Sequence, residues 1–264
     1  MRSGQPPPPL AFITGASSGI GQALALRYRQ AGWRVALIAR RKEAMQAWTL
    51  AQGWSPDCFR IYAADVSAPD EVIAAAQACL AEQGLPDVVI ANAGISIGMD
   101  TAEHSDLDVM SRTLATNNIG MAATFHPFVA PMRQRGSGRL VGIASVAAVR
   151  GLPGHGAYCA SKAGVVSYCE SLRGELRGSG VKVLTIAPGF IDTPLTRGNR
   201  YPMPFLMSAP AFANQAFRAI QAGRSYCVIP WQMGVVAKLM RALPNAMFDR
   251  LMHGRGRKAR EGEV

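Results

Sequence analysis

The chain has 264 residues, of which 49% are hydrophobic, and 28 lysine and arginine residues against 17 acidic ones give a formal net charge of +11. This composition excludes a disordered chain, and the five cysteines and four histidines show neither CxxC nor metal-ligand spacing, so we expect free thiols and no metal. The start, MRSGQPPPPL, lacks an apolar run of signal-peptide length, and no stretch is long and apolar enough to span a membrane, so we expect a cytoplasmic protein.

Short apolar runs alternate with longer amphipathic stretches along most of the chain. Strands are predicted at 10–14, 34–39, 59–63, 87–91, 139–144 and 181–187. Helices are predicted at 19–31, 42–51 and 69–83, and near 104–135 and 157–178. This alternation predicts an α/β fold, a doubly wound, Rossmann-type parallel sheet of about seven strands with helices on both faces. We divide the chain into a proline-rich lead-in at 1–9, one Rossmann domain at 10–230, and a C-terminal helical extension with a basic tail at 231–264.

A glycine-rich turn, TGASSGIG, joins the first strand to the first helix at residues 14–21. The glycines permit a tight turn and a close approach of backbone to a pyrophosphate, and the helix N-terminus offers unpaired N–H groups and a positive dipole. The residues predicted to bind the dinucleotide here are Gly15, Ser17, Ser18, Gly19, Ile20 and Gly21.

This turn resembles the TGxxxGxG fingerprint of the short-chain dehydrogenase/reductase family, and the resemblance extends over about residues 10–195. In doubly wound dinucleotide folds, the end of the second strand contacts the adenosine ribose, with an acidic residue when the cofactor is NAD. This chain has Ala39, Arg40 and Arg41 there, and a guanidinium can hold a 2′-phosphate with charge-assisted hydrogen bonds. We therefore expect NADP(H), although two exposed arginines at a helix start would look the same.

Two further segments follow strands and match the family's cofactor contacts. By resemblance, Asp65 and Val66 contact the adenine, and Asn92, Ala93 and Gly94 form the NAG motif that lines the cofactor. Both segments end strands, where ligands bind in open α/β sheets.

The stretch from Ser145 to Lys162, SVAAVRGLPGHGAYCASK, holds the predicted catalytic group. Tyr158 and Lys162 are four residues apart and share one helix face, and Ser145 closes the preceding strand. A nearby ammonium and an oxidised nicotinamide favour phenolate, so we expect the Tyr158 pKa to move from about 10 toward neutrality. Tyr158 then acts as general acid/base, while Ser145 hydrogen-bonds the reacting oxygen.

The order and spacing of these residues resemble the family's Ser-Tyr-x-x-x-Lys arrangement. By the same resemblance, Asn117 is the fourth catalytic member, holding a water in a proton relay with the lysine. The NxxG spacing to Gly120 selects it over Asn118. The segment from Pro188 and Gly189 to Thr193 resembles PGxxxT, which implies that the Ile191 backbone and the Thr193 hydroxyl hold the carboxamide. Tyr158 and Lys162 also contact the cofactor.

Beyond Thr193 the resemblance ends. The next segment contains Leu195, Tyr201, Met203, Phe205, Leu206 and Met207. These suit a lipophilic substrate, or equally ordinary packing. The family's C-terminal Asp-Gly-Gly signature is absent, which favours a homodimer over a tetramer and argues against a fatty-acid-synthesis ketoreductase.

The C-terminal extension has helical apolar spacing over 235–243, a break at Pro244, and an apolar face resumed at Phe248. Lys238 to the end carries seven basic and three acidic side chains. The basic residues form a solvated tail or, with the apolar stripe, contact an anionic membrane surface; the helix alternatively packs on its own domain or on a second subunit.

Together these patterns predict an NADP(H)-dependent oxidoreductase that interconverts a carbonyl and an alcohol on a small lipophilic substrate, at the inner face of a membrane if the extension contacts lipid. One alternative is a 3-oxoacyl-carrier-protein-type ketoreductase, and another is a non-catalytic NADP-binding sensor or scaffold. Nucleic-acid binding is not expected, because the basic cluster lacks interleaved aromatic residues.

Overall fold

The computed structural model of the chain describes residues 7–199, 201–254 and 256–263. Most of the predicted lead-in at 1–9 lies outside these ranges. The strands are β1 Leu10–Thr14, β2 Arg34–Ala39, β3 Phe59–Ala63, β4 Val88–Ala91, β5 Gly138–Ile143, β6 Val181–Pro188, β7 Ile191–Asp192, β8 Met207–Ser208 and β9 Tyr226–Ile229. The helices are α1 Gly19–Gln30, α2 Lys42–Ala51, α3 Pro69–Glu82, α4 Asp106–Leu114, α5 Gly120–Arg135, α6 Gly156–Glu175, α7 Pro194–Arg197, α8 Ala209–Gln221, α9 Trp231–Ala242 and α10 Asn245–Met252.

Seven strands form one parallel sheet in the order β3-β2-β1-β4-β5-β6-β9, while β7 and β8 pair separately. The predicted doubly wound sheet is confirmed. The chain crosses over between β3 and β4, so the carboxyl ends of β1 and β4 lie side by side at the point where the strand order reverses, and ligands bind at such crevices. The seventh strand, β9, lies in a stretch for which the sequence predicted no strand.

Both faces of the sheet are covered, which explains why its central strands are continuous apolar runs rather than alternating ones. On one face α3, α5 and α6 supply a buried cluster that includes Phe128, whose ring meets that of Phe12 at 4.9 Å. On the other face α1 and α8 pack together, with Tyr28 and Phe217 ring centroids 4.9 Å apart. The rigid sheet therefore fixes the strand ends on which the site is built.

The predicted helical segment near 104–135 is interrupted. A π-helical turn, Ala115–Ile119, separates α4 from α5. Such turns are uncommon and frequently occur at functional sites. It carries Asn117 into the interior, where the side chain is 2% exposed.

The C-terminal extension folds back onto the domain. Met233 and Ala237 bury one side of α9, and Pro244 separates α9 from α10. One of the sequence interpretations was a solvated basic tail, but the described part of the tail contacts the domain. Residues 256–263, here called the strap, lie across the loop that follows β4, where Gly98 N donates to Ala259 O at 3.1 Å. No helix within the described part of the chain has the length and apolar character needed to cross a bilayer.

Candidate active site

The glycine turn after β1 has the form of a phosphate cradle. Gly15 and Gly19 adopt φ values of +66° and +55°, which side chains with a Cβ rarely adopt. At the following helix, Ser18 is the N-cap but makes no side-chain cap, and the first turn holds no acidic residue. The first N–H groups of α1 and the positive end of the helix dipole are therefore available to an anion. The turn fits the pyrophosphate of a dinucleotide.

The segment after β6 reaches this turn. A Cβ at Gly19 would lie 3.1 Å from the Thr193 Cβ, so the predicted carboxamide-binding segment and the phosphate cradle are adjacent. Thr193 is buried and caps α7 reciprocally with Thr196, and the two hydroxyl oxygens are 3.3 Å apart. Sequence reasoning did not identify Thr196. Ile191 is buried in β7, paired with Met207 of β8.

Arg40 and Arg41 follow β2 at its carboxyl end, and both are exposed. The Arg40 side chain is 74% exposed, and its guanidinium lies 3.6 Å from the Asp65 carboxylate. Burial would raise the pKa of Asp65, but hydrogen bonds from Ser67 and the charge of Arg40 hold it below its ordinary value. Asp65 thus stays ionised and keeps the guanidinium beside the segment, 65–66, predicted to contact the adenine.

The NAG motif ties β4 to β1. Asn92 Nδ2 donates to Thr14 O at 2.9 Å, and the backbone N–H groups of Asn92 and Ala93 both reach Thr14 Oγ1. The Asn92 side-chain amide is thus engaged in joining the ends of β1 and β4 at the crevice. Gly94 comes next, and a Cβ there would lie 3.0 Å from Asn117 Oδ1 and 3.3 Å from Lys162 Nζ. Gly94 therefore marks the point where two predicted catalytic residues meet.

Asn117 is held on all sides in the described structure. Its Oδ1 accepts from Ile95 N at 2.8 Å, while its Nδ2 donates to Ile95 O at 3.0 Å and Ser161 Oγ at 2.9 Å. Asn118, the residue that the NxxG spacing ruled out, points to the same place, donating to Ser161 O at 2.9 Å. The π-helical turn thereby fixes α6 one residue before Lys162.

Ser145, Tyr158 and Lys162 come together at the carboxyl edge of β5. Ser145 is buried, and its Oγ accepts the Ala147 N–H at 3.1 Å, so its own proton remains free to donate. A hydrogen bond links its side chain to Tyr158. Lys162 Nζ donates to Ile143 O at 2.8 Å and lies 5.8 Å from the Tyr158 ring centroid.

The titration of Tyr158 differs from the sequence expectation. Burial raises the pKa of Tyr158 to about 12, although the hydrogen bond from Ser145 lowers it. Burial also lowers the pKa of Lys162 to about 8. In the chain by itself, desolvation therefore outweighs the hydrogen bond from Ser145, and Tyr158 is a protonated phenol at neutral pH.

The segment after α7 and the start of α6 border this group. His155 is buried three residues before Tyr158, and its Nε2 lies 3.2 Å from the Tyr201 hydroxyl. Leu195, Phe205 and Leu206 are exposed apolar side chains in the same segment. Sequence reasoning missed His155, because a single histidine outside any metal or triad spacing carries no signal.

The comparisons with known proteins agree with this geometry. The family described as short chain dehydrogenase matches residues 9–203. An uncharacterized oxidoreductase of Myxococcus xanthus is 39% identical over 242 residues, 90% of this chain and 94% of its own length. A 3-oxoacyl-[acyl-carrier-protein] reductase of Chlamydia muridarum is 35% identical, covering 71% of this chain and 76% of its own. A short chain dehydrogenase/reductase from Burkholderia phymatum, solved in complex with NAD, superposes with a TM-score of 0.80 at 26% identity, covering 88% of this chain and 92% of that one.

Proposed function

The chain belongs to the short-chain dehydrogenase/reductase family of oxidoreductases, and from that premise we propose that it is an NADP(H)-dependent enzyme interconverting a carbonyl and an alcohol. The observation that carries the proposal is the hydrogen-bonded pair of Tyr158 and Ser145 with the Lys162 ammonium buried behind it. Burying an ammonium is costly, and among the described residues the Lys162 ammonium donates only to a backbone carbonyl, that of Ile143. A scaffold that only bound the nucleotide would not need a buried ammonium beside this pair.

The residues of the site divide the proton chemistry between them. The bound nicotinamide supplies or accepts the hydride at the reacting carbon. In the reducing direction Tyr158, protonated because of its raised pKa, donates its phenolic proton to the carbonyl oxygen. Ser145 donates a hydrogen bond to the same oxygen. The Lys162 charge stabilises the phenolate left on Tyr158. Asn117 fixes the positions of Lys162 and Gly94 relative to each other.

The cofactor preference for NADP(H) is supported by Arg40 and Arg41 at the end of β2, where no acidic side chain replaces them. A guanidinium attracts the 2′-phosphate that an aspartate would repel. Structures of similar fold have been solved in complex with NAD, NADH or NADP+, so the preference is argued from Arg40 and Arg41 alone.

For the substrate we propose a small, lipophilic carbonyl compound. Support comes from the exposed apolar side chains of Leu195, Phe205 and Leu206 in the segment next to His155 and Tyr201. The second candidate, reduction of an acyl group on a carrier protein, is favoured by the Chlamydia muridarum relative. The absence of the Asp-Gly-Gly signature argues against this second candidate.

We propose a cytoplasmic homo-oligomer, a dimer rather than a tetramer, that also touches an anionic membrane surface from the inner side. The support for membrane contact is the outer face of α9, where Trp231, Val235 and Leu239 are exposed next to Lys238 and Arg241. An exposed apolar stripe with basic neighbours suits a lipid interface.

The test is NADPH consumption with ketones, aldehydes and acyl thioesters, in the wild type and Tyr158→Phe. We expect turnover of a lipophilic ketone or aldehyde that falls by about 10²- to 10⁴-fold in Tyr158→Phe, because general acid–base groups contribute that much. The variant should still bind NADPH and melt within a few degrees of the wild type. Turnover of thioesters alone would select the carrier-protein alternative. NADPH binding without any turnover would leave a sensor or scaffold.

A further inference from the structure

The strap, residues 256–263, closes one side of the proposed substrate site. Its backbone runs beside Gly98, where a Cβ would lie 2.2 Å from Lys258 O, so a side chain at this position would clash. The neighbouring Met99 reaches α6, with Ala157 N 3.1 Å from Met99 Sδ. The strap therefore rests on the loop that adjoins the helix carrying Tyr158.

The arginines that anchor the strap all have carboxylate partners. Arg260 binds Asp106 at 2.7 Å and also faces Glu103 and Glu263, and Arg257 lies 3.4 Å from Asp100. Arg112 of α4 pairs with Glu261 from the strap and with Asp108. These pairs occupy the acidic groups around the strap.

Lys258 differs from these arginines. Its Nζ donates to Leu195 O at 3.2 Å, and it has no carboxylate within 4.0 Å among the described residues. An ammonium has three donors, and a half-buried one gains from an anionic acceptor that replaces lost water. Lys258 thus has donor capacity that the described chain does not use.

The position of Lys258 relates this unused capacity to the site. On one side it contacts α7, directly after Thr193; on the other, its charge reaches His155. Burial lowers the pKa of His155 and the Lys258 charge lowers it further, against a hydrogen bond to Pro153 O that raises it. His155 starts the turn of α6 that presents Tyr158. Lys258 therefore bridges the two segments between which the substrate must pass.

We propose that Lys258 binds an acidic group of the substrate, so that the enzyme prefers an oxo acid with an apolar chain over a neutral ketone. The inference rests on the proposed carbonyl–alcohol function. Leu195 and Leu206 contact the apolar chain, and the carboxylate lies beneath the strap against the Lys258 ammonium. The substrate is then amphiphilic, and its acidic end binds Lys258, which is far in sequence from Tyr158.

Turnover of matched substrates tests the proposal. The 4- to 7-oxooctanoic acids are compared with their methyl esters in the wild type, Lys258→Met, Lys258→Arg and a control, Lys182→Met, whose exposed lysine lies at the amino end of β6. We expect Lys258→Met to raise KM for at least one acid by about 10- to 100-fold with kcat within threefold, to leave the esters unchanged, and to be partly rescued by arginine. An equal effect on acids and esters would mean that Lys258 only props Leu195, and no effect would remove it from the site; both overturn the proposal.

A binding measurement separates this inference from the proposed function. Octanoate, which cannot be reduced, is titrated calorimetrically into each variant saturated with NADP+. Weaker octanoate binding by Lys258→Met than by Lys182→Met supports the acid site even if no oxo acid turns over, in which case the carbonyl–alcohol function fails alone. Equal affinity in the two variants, or no binding by the wild type at millimolar octanoate, overturns the acid site whatever the turnover.

Discussion

At the scale of single residues, the site is organised by groups whose burial works against folding. Lys162 is 5% exposed, and burial lowers its pKa from 10.5 to about 8. A basic group whose pKa is lower in the folded than in the unfolded state lowers the free energy of unfolding. The full cost applies at pH values below the folded-state pKa, where the group is charged in both states. The cost is relieved as pH rises from 8 to 10.5, since the folded chain then releases the proton before the unfolded chain does.

Lys162→Met should therefore change how stability depends on pH. Below pH 8 the buried charge lowers the free energy of unfolding of the wild type, whereas the variant carries no such charge. Between pH 7 and pH 10 we expect the wild type to gain about 1–3 kcal/mol relative to the variant. Urea denaturation of both proteins without cofactor measures the difference, with Lys182→Met, which removes an exposed lysine, as the control. A constant difference between wild type and Lys162→Met would contradict the buried-charge argument.

In the proposed function, the preference for NADPH over NADH also depends on one or two side chains. Removing the guanidinium in Arg40→Met should weaken NADPH binding by about 10- to 150-fold, since charge-assisted hydrogen bonds contribute about 1.5–3 kcal/mol. NADH binding should change little, because NADH lacks the 2′-phosphate. Fluorescence titration of both cofactors gives the dissociation constants, with the exposed Arg60 changed to Met as the matched control. Equal wild-type affinities for NADPH and NADH would reject the assignment to NADP(H).

At the scale of elements, Arg150, in the loop between Ser145 and α6, joins the C-terminal helices to the rest of the domain. Its guanidinium donates to the carbonyls of Met240 at 2.6 Å and Leu243 at 2.7 Å, at the end of α9. The same group bonds Asn245 Oδ1 at 2.9 Å and stacks over the Phe248 ring at 3.9 Å. It thus caps α9, where helix carbonyls otherwise lack donors, and joins it to α10.

Arg150→Lys should consequently behave almost like Arg150→Met. A lysine has one nitrogen and cannot span acceptors on two helices and a ring at once. We expect both variants to lower the melting temperature by several degrees and to raise amide exchange over α9 and α10, with exchange in β1 and β4 unchanged. A lysine variant indistinguishable from the wild type would show that charge alone, not the planar fork, holds these helices.

The elements also show what sequence can and cannot reveal. Strands β1 to β6 are apolar runs, so local pattern predicted them, and the spacing of Ser145, Tyr158 and Lys162 marked them as candidate catalytic residues that the fold brings together. The π-helical turn at Asn117 and the strand β9 depend on partners distant in sequence. The same holds for the strap, because no local pattern pairs Arg260 with Asp106, 154 residues away.

At the scale of the whole molecule, the outer face of α9 is an exposed apolar surface of the C-terminal extension. Trp231 is 70% and Leu239 64% exposed, while Met233 and Ala237 on the opposite side pack against the domain. The basic residues of this helix, Lys238 and Arg241, have no acidic residue beside them in α9. A two-fold contact through α9 would bring like charges together, whereas an anionic lipid surface neutralises them.

We therefore expect the wild type to co-sediment with vesicles rich in phosphatidylglycerol at low salt and to remain in the supernatant with neutral phosphatidylcholine. The double variant Trp231→Ser, Leu239→Ser should lose anionic binding, because both the apolar insertion and the approach of the two cations depend on this face. Leu50→Ser, which removes an equally exposed leucine from α2, is the matched control and should bind as the wild type does. Light scattering on the same proteins gives their molar mass. If no vesicle binds the wild type and the double variant alone has a halved molar mass, the face is a subunit interface, and the membrane proposal is wrong.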